Sequence, residues 1–230
     1  GTITIQSNTL VIKVDELLNV LVESTDAGDI VTAPGAIGNV QTFRVTNIGN
    51  GDEAFGLVAN MANGGDDFDP TFQKIVIDSN NDGVYDPGTD TDYIAGTNEP
   101  VLAPDTSRNF FVITTTPNTV VNSNRAEVSL IATALTGSGA PGTSFAGAGQ
   151  GGGNAVVGLT TAVGSDSGFL AVQGASVTLA KSATVVDPFG GNRPIPGAVI
   201  TYQLVATIAG TGTLNNLVIS DPVPTYTTYQ

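Results

Sequence analysis

Hydrophobic and polar residues along this chain alternate far more often than they recur at a helical period. Thr2-Ile3-Thr4-Ile5-Gln6 and Leu10-Val11-Ile12-Lys13-Val14 both place β-branched or aliphatic residues at every second position. Runs of the same kind follow at Val40 to Val45, Lys74 to Ile77, Asn109 to Thr114, Ala126 to Ala132, Ser176 to Ala180, Val199 to Ala206 and Asn216 to Ser220. Val, Ile, Thr, Phe and Tyr fill these runs, and Gly, Pro, Asn and Asp punctuate them, which predicts short strands joined by turns. Such spacing points to an all-β sandwich. Asp15 to Glu23 alone carries some helical periodicity, and its Val-rich end fits a strand equally well, so the pattern leaves both open there.

The strand pattern repeats. Pro34-Gly35 precedes Val40-Gln41-Thr42-Phe43-Arg44-Val45-Thr46-Asn47, which runs into Gly49-Asn50-Gly51 and then Leu57-Val58-Ala59-Asn60. Later, Pro196-Gly197 precedes Val199-Ile200-Thr201-Tyr202-Gln203-Leu204-Val205-Ala206, then Gly210-Thr211-Gly212 and Leu217-Val218-Ile219-Ser220-Asp221. Both copies read as a turn, a strand with a central aromatic and a Gly-rich turn, so two modules of one kind are expected. Between them Leu135 to Gly153 is dense in Gly, Ala and Ser. By composition it is a flexible linker; Asn154 to Val163 beyond it still supplies a strand, which makes it a long loop of the first module. The expected organisation is tandem immunoglobulin-like β-sandwiches: an N-terminal strand segment over 1–14, a first module over 15–167 with its Gly-rich loop at 135–153, and a second, incomplete module over 168–230. Tyr202, in phase with Ile200 and Leu204, is expected to face the core and be mostly buried.

Composition narrows the chemistry. The 230 residues include no Cys, no His and no Trp. Nucleophile–base catalysis and zinc or copper ligation usually draw on His and Cys, so neither is expected. Only a carboxylate pair of the glycosidase kind stays open, and the chain is expected not to be an enzyme. Seven Lys and Arg against 21 Asp and Glu give a formal charge of −14. A chain this acidic repels phosphate backbones and anionic lipid, so no nucleic acid and no membrane insertion are expected. Most of the acidic excess reads as solubilising surface charge. Sugar-binding modules present exposed aromatics, a signal confined here to Tyr226 and Tyr229.

One acidic segment has sharper spacing. Asp78-Ser79-Asn80-Asn81-Asp82-Gly83-Val84-Tyr85-Asp86 puts oxygens at positions 1, 3, 5 and 9 around a Gly at 6, with the Val84 carbonyl at 7. That spacing wraps a hard cation in EF-hand-like loops. Thr89 stands where the closing Glu belongs, and Asp90 or Asp92 substitutes. The candidate calcium ligands are therefore Asp78, Asn80, Asp82, Val84, Asp86 and Asp90, against the alternative of a metal-free Asp/Asn/Gly turn. Asp66-Asp67-Phe68-Asp69 is a second acidic cluster that could add ligands.

The second module carries a family resemblance. Val177-Thr178-Leu179-Ala180-Lys181-Ser182-Ala183, Pro196-Gly197, Ile200-Thr201-Tyr202, Gly210-Thr211-Gly212 and Leu217 to Pro224 with Tyr226 and Tyr229 together resemble the DUF11 repeats of bacterial and archaeal surface proteins. Ile208-Ala209-Gly210 replaces the family's Asn-x-Gly, and Ala198 its Asp after the Pro-Gly turn. The resemblance covers about residues 172–230 and implies an immunoglobulin-like sandwich, export, and a cell-surface or filament role with no catalytic residue.

A full sandwich needs about seven strands and about 100 residues. The second module is shorter, and an open sheet edge accepts a strand from another molecule. The expectation is an extracellular structural subunit of a surface filament or layer. Its partners would be copies of itself, joined head-to-tail as Gly1 to Val14 of one enters the second module of the next. No small-molecule substrate is expected. The alternative is a spacer within a longer, calcium-stiffened adhesin stalk.

Overall fold

The computed structural model describes residues 1–210, 217–223, 225 and 228. Asn216, Thr211, Gly212, Pro224, Tyr226 and Tyr229, named above, lie outside the described residues. Apart from a 3-10 turn at Gln150–Gly152, the regular structure of the described residues is entirely β. The chain forms two compact units, Gly1–Val120 with Asn124–Val172, and Val121–Ser123 with Gln173–Gln230.

The first unit contains strands β1 (Glu16–Leu18), β2 (Val20–Ser24), β3 (Ile30–Thr32), β4 (Ile37–Asn47), β5 (Glu53–Asn60), β6 (Thr71–Ile77), β7 (Thr91–Asp92), β8 (Val101–Leu102), β9 (Ser107–Thr115), β10 (Arg125–Ala134), β11 (Ser144–Phe145), β12 (Ala155–Val157) and β13 (Val163–Val172). They build two five-stranded sheets, β2-β4-β9-β6-β7 and β3-β13-β10-β5-β8, and a small sheet β1-β12-β11. Period-two alternation supplies the layer between the large sheets. Val20, Val22, Phe43, Val45, Phe110 and Val112 from one sheet share a single buried cluster with Phe55, Leu57, Val128 and Leu130 from the other. Each phenylalanine that is fully buried there stabilises the fold by about 1.5–3 kcal/mol. β9 is buried on both faces: Phe111 and Ile113 pack with Val76, Val40 and Tyr85 on the far side of its sheet. That is why Phe110-Phe111-Val112-Ile113 reads as an unbroken apolar run.

The first strand divides between the sheets. β2 runs antiparallel to β4, and after a short bend β3 runs parallel to β13 in the opposite sheet. Edge N–H groups are met singly. Val20 N donates to Thr160 Oγ1 at 3.1 Å and Ser24 N to Asp166 Oδ2 at 2.7 Å. On β5, Phe55 N donates to Pro100 O and Leu57 N to the Tyr93 hydroxyl, both at 3.0 Å. Such caps leave little of the edge for another chain to pair with.

Several expectations change here. Asp15 to Glu23 resolves into two strands, because Leu18, Val20 and Val22 all enter the core at alternate positions. The Gly-rich stretch, by contrast, lies in the first unit as its loop reading has it: β11 pairs with β12, and β12 runs parallel to β1. The boundary expected near residue 168 falls inside β13, which continues until Leu170 and Val172 are buried. Residues 1–14 are exposed and carry no strand, and neither does Leu217 to Ser220. Both have strand-forming sequences, but a strand exists only as part of a hydrogen-bonded ladder, and no described segment pairs with them.

In the second unit β14 (Ser176–Val186) and β15 (Val199–Ala209) form one antiparallel hairpin, in register from Ser176 opposite Ala209 to Val186 opposite Val199. The Pro-Gly repeat is visible in three dimensions. Ala36 N donates to Ala33 O and Ala198 N to Ile195 O, both at 3.0 Å, closing β-turns with Pro second and a positive-φ glycine third (Gly35 +74°, Gly197 +88°). β4 then carries a bulge at Gly38 that β15 lacks. Allowing for that extra residue, Val22 opposite Val45 corresponds to Leu179 opposite Ala206, and Phe43 to Leu204. Tyr202 therefore takes the place of Gln41, not of Phe43.

Directly opposed residues share a face. One face of the hairpin carries Val177, Leu179, Val185, Ile200, Tyr202, Leu204 and Ile208, with Lys181 among them; the other is mostly Ser, Thr and Gln, broken by Val186, Val199 and Val205. Tyr202 lies on the apolar face as expected, but it is 36% exposed rather than buried, because no second sheet covers that face among the described residues. Lys181 Nζ sits 4.2 Å from its ring centroid and 2.6 Å from Asp221 Oδ1.

Asp187 ends β14 by gathering the loop behind it. Its carboxylate accepts the N–H groups of Gly191 (2.9 Å), Phe189 (2.8 Å) and Arg193 (3.2 Å), which holds its pKa below the usual carboxylate value. A lowered folded-state value means the carboxylate stabilises this loop above the unfolded pKa of about 3.9, and that stabilisation is lost as pH falls through the lower folded value. Protection of the Gly191 and Phe189 amides against exchange, relative to their intrinsic rates, should therefore fall below about pH 4 by more than in an Asp187→Asn variant, which has no proton to gain there. Equal acid sensitivity of the two proteins would contradict this account.

Candidate functional site

Two kinds of feature offer more than packing: the aspartate loop after β6, and exposed apolar runs, found separately in segment 1–14 of the first unit and in the hairpin of the second.

The loop begins where β6 ends. Asp78 is fully buried, and its own N–H donates to Asn109 O on β9 at 3.2 Å. Asp78 Oδ2 accepts from Gly83 N at 2.7 Å and from Asn109 Nδ2 at 3.3 Å; Oδ1 accepts from Asp82 N at 3.3 Å. Asn81, at φ +55°, turns its Oδ1 back to accept Asn109 N at 2.9 Å. Asn80 Nδ2 donates to Asp82 Oδ2 at 2.8 Å, and Asp82 Oδ1 accepts Val84 N at 2.8 Å. Asp90 closes the loop, with Oδ1 accepting Ser79 N at 3.0 Å and Oδ2 accepting Asp86 N at 2.8 Å. Asp86 contributes its backbone carbonyl, which accepts Thr89 N and Asp90 N at 3.0 Å. Val84 is exposed at the tip, and Tyr85 leans back on Phe111 with ring centroids 5.6 Å apart.

Asp78, Asn80, Asp82, Val84, Asp86 and Asp90 thus share one loop, as their spacing predicts. Their oxygens suit a hard cation in kind. Among the described residues no three acidic side chains converge to hold a metal. Asp78, Asp82 and Asp90 accept hydrogen bonds from the loop's own N–H groups. Asp92, the alternative closing ligand, is held by Lys74 at 2.7 Å. Asp66 and Asp67 lead elsewhere: their carboxylates accept Glu127 N at 2.9 Å and Arg125 N at 2.8 Å on β10. Asn109 and Arg125 are the residues that sequence reasoning missed. Both act across long sequence separations, and no local spacing marks them. Arg125 grips Asp29 through two hydrogen bonds of 2.6 and 2.8 Å while its guanidinium lies 3.5 Å from the Phe169 ring centroid.

The second kind of feature is defined by exposure. Ile3, Ile5, Leu10, Val11, Ile12 and Val14 are each at least 75% exposed. In the hairpin Leu179, Leu204 and Ile208 are 48%, 37% and 58% exposed. Isolated apolar residues on a surface need no explanation; continuous apolar runs mark places where another surface binds.

No protein-family model matches the chain, and no curated protein is similar to it.

The loop geometry gives a direct expectation. Asp78→Ala leaves the N–H groups of Asp82 and Gly83 without their acceptor and should lower the stability of the first unit by about 1–3 kcal/mol. Asp78→Asn, which keeps an acceptor, should cost less. A chelator should leave the melting temperature of the unmodified protein unchanged, measured by circular dichroism. A fall in melting temperature with chelator would show that an ion completes the loop.

Proposed function

We propose that this chain is an extracellular structural protein of a microbial surface, whose copies join head-to-tail by β-strand addition into a filament or layer. The observation that carries the reading is the pairing of two incomplete parts: an exposed, alternating apolar segment over 1–14, and a two-stranded hairpin whose apolar face has no covering sheet among the described residues. A main-chain ladder supplies affinity in such additions, and alternate side chains supply specificity. The contact is heterologous, so it propagates instead of closing on itself. Single caps on the edges of β2 and β5 leave less room for strand addition there.

Composition supports the rest of the reading. Without His or Cys the chain has no ready nucleophile or general base near neutral pH, and its charge discourages binding to nucleic acid or anionic lipid. The DUF11-like pattern of the second unit and the shared Pro-Gly turns of the two units favour tandem immunoglobulin-like modules of an exported protein. The aspartate loop serves this role as a hydrogen-bonded strut.

One observation favours a second reading. Among the described residues the second unit reproduces only β2 and β4 of the first, so several strand positions would be filled if the polypeptide ran on. The chain would then be a spacer in a longer surface stalk.

Deletion of residues 1–9 separates the two. Under the first reading, negative-stain electron microscopy of the unconcentrated protein shows filaments that the deletion reduces to single particles. Filaments that survive the deletion would refute strand addition by this segment. Single particles from both proteins would favour the spacer.

A further inference from the structure

The repeat between the units identifies which edge of the hairpin is open and what shape of strand fits it. In the first unit β2 is an edge strand, its outward N–H groups capped by Thr160 and Asp166. β4 is interior, flanked by β2 on one side and β9 on the other. The second unit keeps the first of these neighbours: β14 stands to β15 as β2 stands to β4, with Val177 opposite Ile208 in the place of Val20 opposite Asn47. Among the described residues nothing stands to β15 as β9 stands to β4. The vacant position is therefore the outer edge of β15, and the strand that belongs there is antiparallel.

The first unit also sets what that strand must carry. β9 places Phe110 opposite Phe43 and Val112 opposite Gln41, both pointing into the core, with Phe111 between them on the other face. Corresponding positions on β15 are Leu204 and Tyr202, with Gln203 between them facing the Ser/Thr side. A fitting strand needs apolar residues at two alternate positions and a small polar residue between them. Thr2-Ile3-Thr4-Ile5-Gln6 has that pattern: Ile3 and Ile5 on one face, and Thr2, Thr4 and Gln6 on the other. Leu10 to Val14 fits less well, because Val11 and Lys13 would lie on the polar face. Residues 7–14 instead tether the strand to its own first unit and, if extended, span about 25 Å.

We propose that Thr2–Gln6 of a second copy of this chain adds antiparallel to the outer edge of β15, with Ile3 opposite Leu204, Ile5 opposite Tyr202 and Thr4 opposite Gln203. This rests on the strand-addition reading above and gives it an edge, a direction and a register. Ile3 and Ile5 then extend the apolar face formed by Val177, Leu179, Leu204 and Ile208. Thr4 continues the row of Thr178, Thr201 and Thr207 on the opposite face. A slip of one residue would reverse both matches and place the isoleucines among hydroxyls.

The native chain has no cysteine, so single-cysteine variants report contacts without background. Thr4 and Gln203 are both exposed, and the two variants are made separately as full-length chains. Opposed residues on neighbouring antiparallel strands bring Cα atoms within disulfide range. Mixing Thr4→Cys protein with Gln203→Cys protein under mild oxidation should give a disulfide-linked dimer on a non-reducing gel. Mixing Thr4→Cys with Thr178→Cys, which lies on β14, should give several-fold less. Preferential linkage to Thr178 would overturn the choice of edge. Linkage to Thr201 or Val205 in place of Gln203 would overturn the register. If the unmodified protein forms filaments that residues 1–9 are needed for, yet none of these pairs links, this inference fails while strand addition stands. If neither filaments nor any cross-link form, strand addition itself fails, and the inference falls with it.

Discussion

A chain that leaves its sheets must find an acceptor for each backbone N–H it turns inward, and in this protein carboxylates do much of that work. Asp78 gathers the loop after β6, Asp187 the loop after β14, and Asp66 and Asp67 fasten another loop onto β10. Asp166 caps the edge of β2, and Asp26, half-buried with its pKa raised by desolvation, accepts Thr42 N at 3.0 Å. Charged acceptors make stronger hydrogen bonds than neutral ones, and each such carboxylate fixes several loop residues at once. In a chain without disulfides these clamps are the strongest local ties between loops and sheets. The large negative charge is thus only in part a solubilising coat; a good share of it is internal wiring.

The same economy links the two units. Both use a Pro-Gly turn to launch a long strand, and both pair that strand antiparallel with an earlier one, β2 or β14, in corresponding register. In the first unit the construction continues through β5, β6, β9 and β10 until the apolar face is enclosed. In the second it stops, among the described residues, at the hairpin. The resulting surface is an inner face turned outward. Lys181 suits that condition: its ammonium finds Asp221 and the face of Tyr202 amid aliphatic neighbours, which keeps an apolar sheet soluble while uncovered.

Much of this architecture was legible from alternation alone. Val40 to Val45, Asn109 to Thr114 and Ala126 to Ala132 are strands because their side chains meet a second sheet at every other position. The misreadings have a common cause. Thr2 to Gln6 alternates as well as any strand in the chain, but pairing is not a local property, and its ladder is not made within the described residues. Tyr202 was placed on the correct face, and its burial was overestimated because burial depends on a partner layer that periodicity cannot see. For the Gly-rich segment, composition pointed to a linker and the strand after it to a loop of the first module; the loop reading holds, and a Cβ on Gly137 would collide with the Phe145 ring, so glycine there serves close packing. The aspartate loop was found by spacing, whereas Asn109, which anchors it from β9, leaves no trace in the local sequence.

The division of the first strand has a mechanical consequence. β1 lies parallel to β12, and β3 lies parallel to β13, the strand by which the chain leaves the first unit at Val172. Tension entering before β1 and leaving after β13 would meet the parallel β1–β12 pair first. Once β1 and β2 had given way, it would draw β3 and β13 past each other lengthwise, loading their hydrogen bonds in shear. The ladder that carries this load is short, the three pairs around Val31 opposite Ala171.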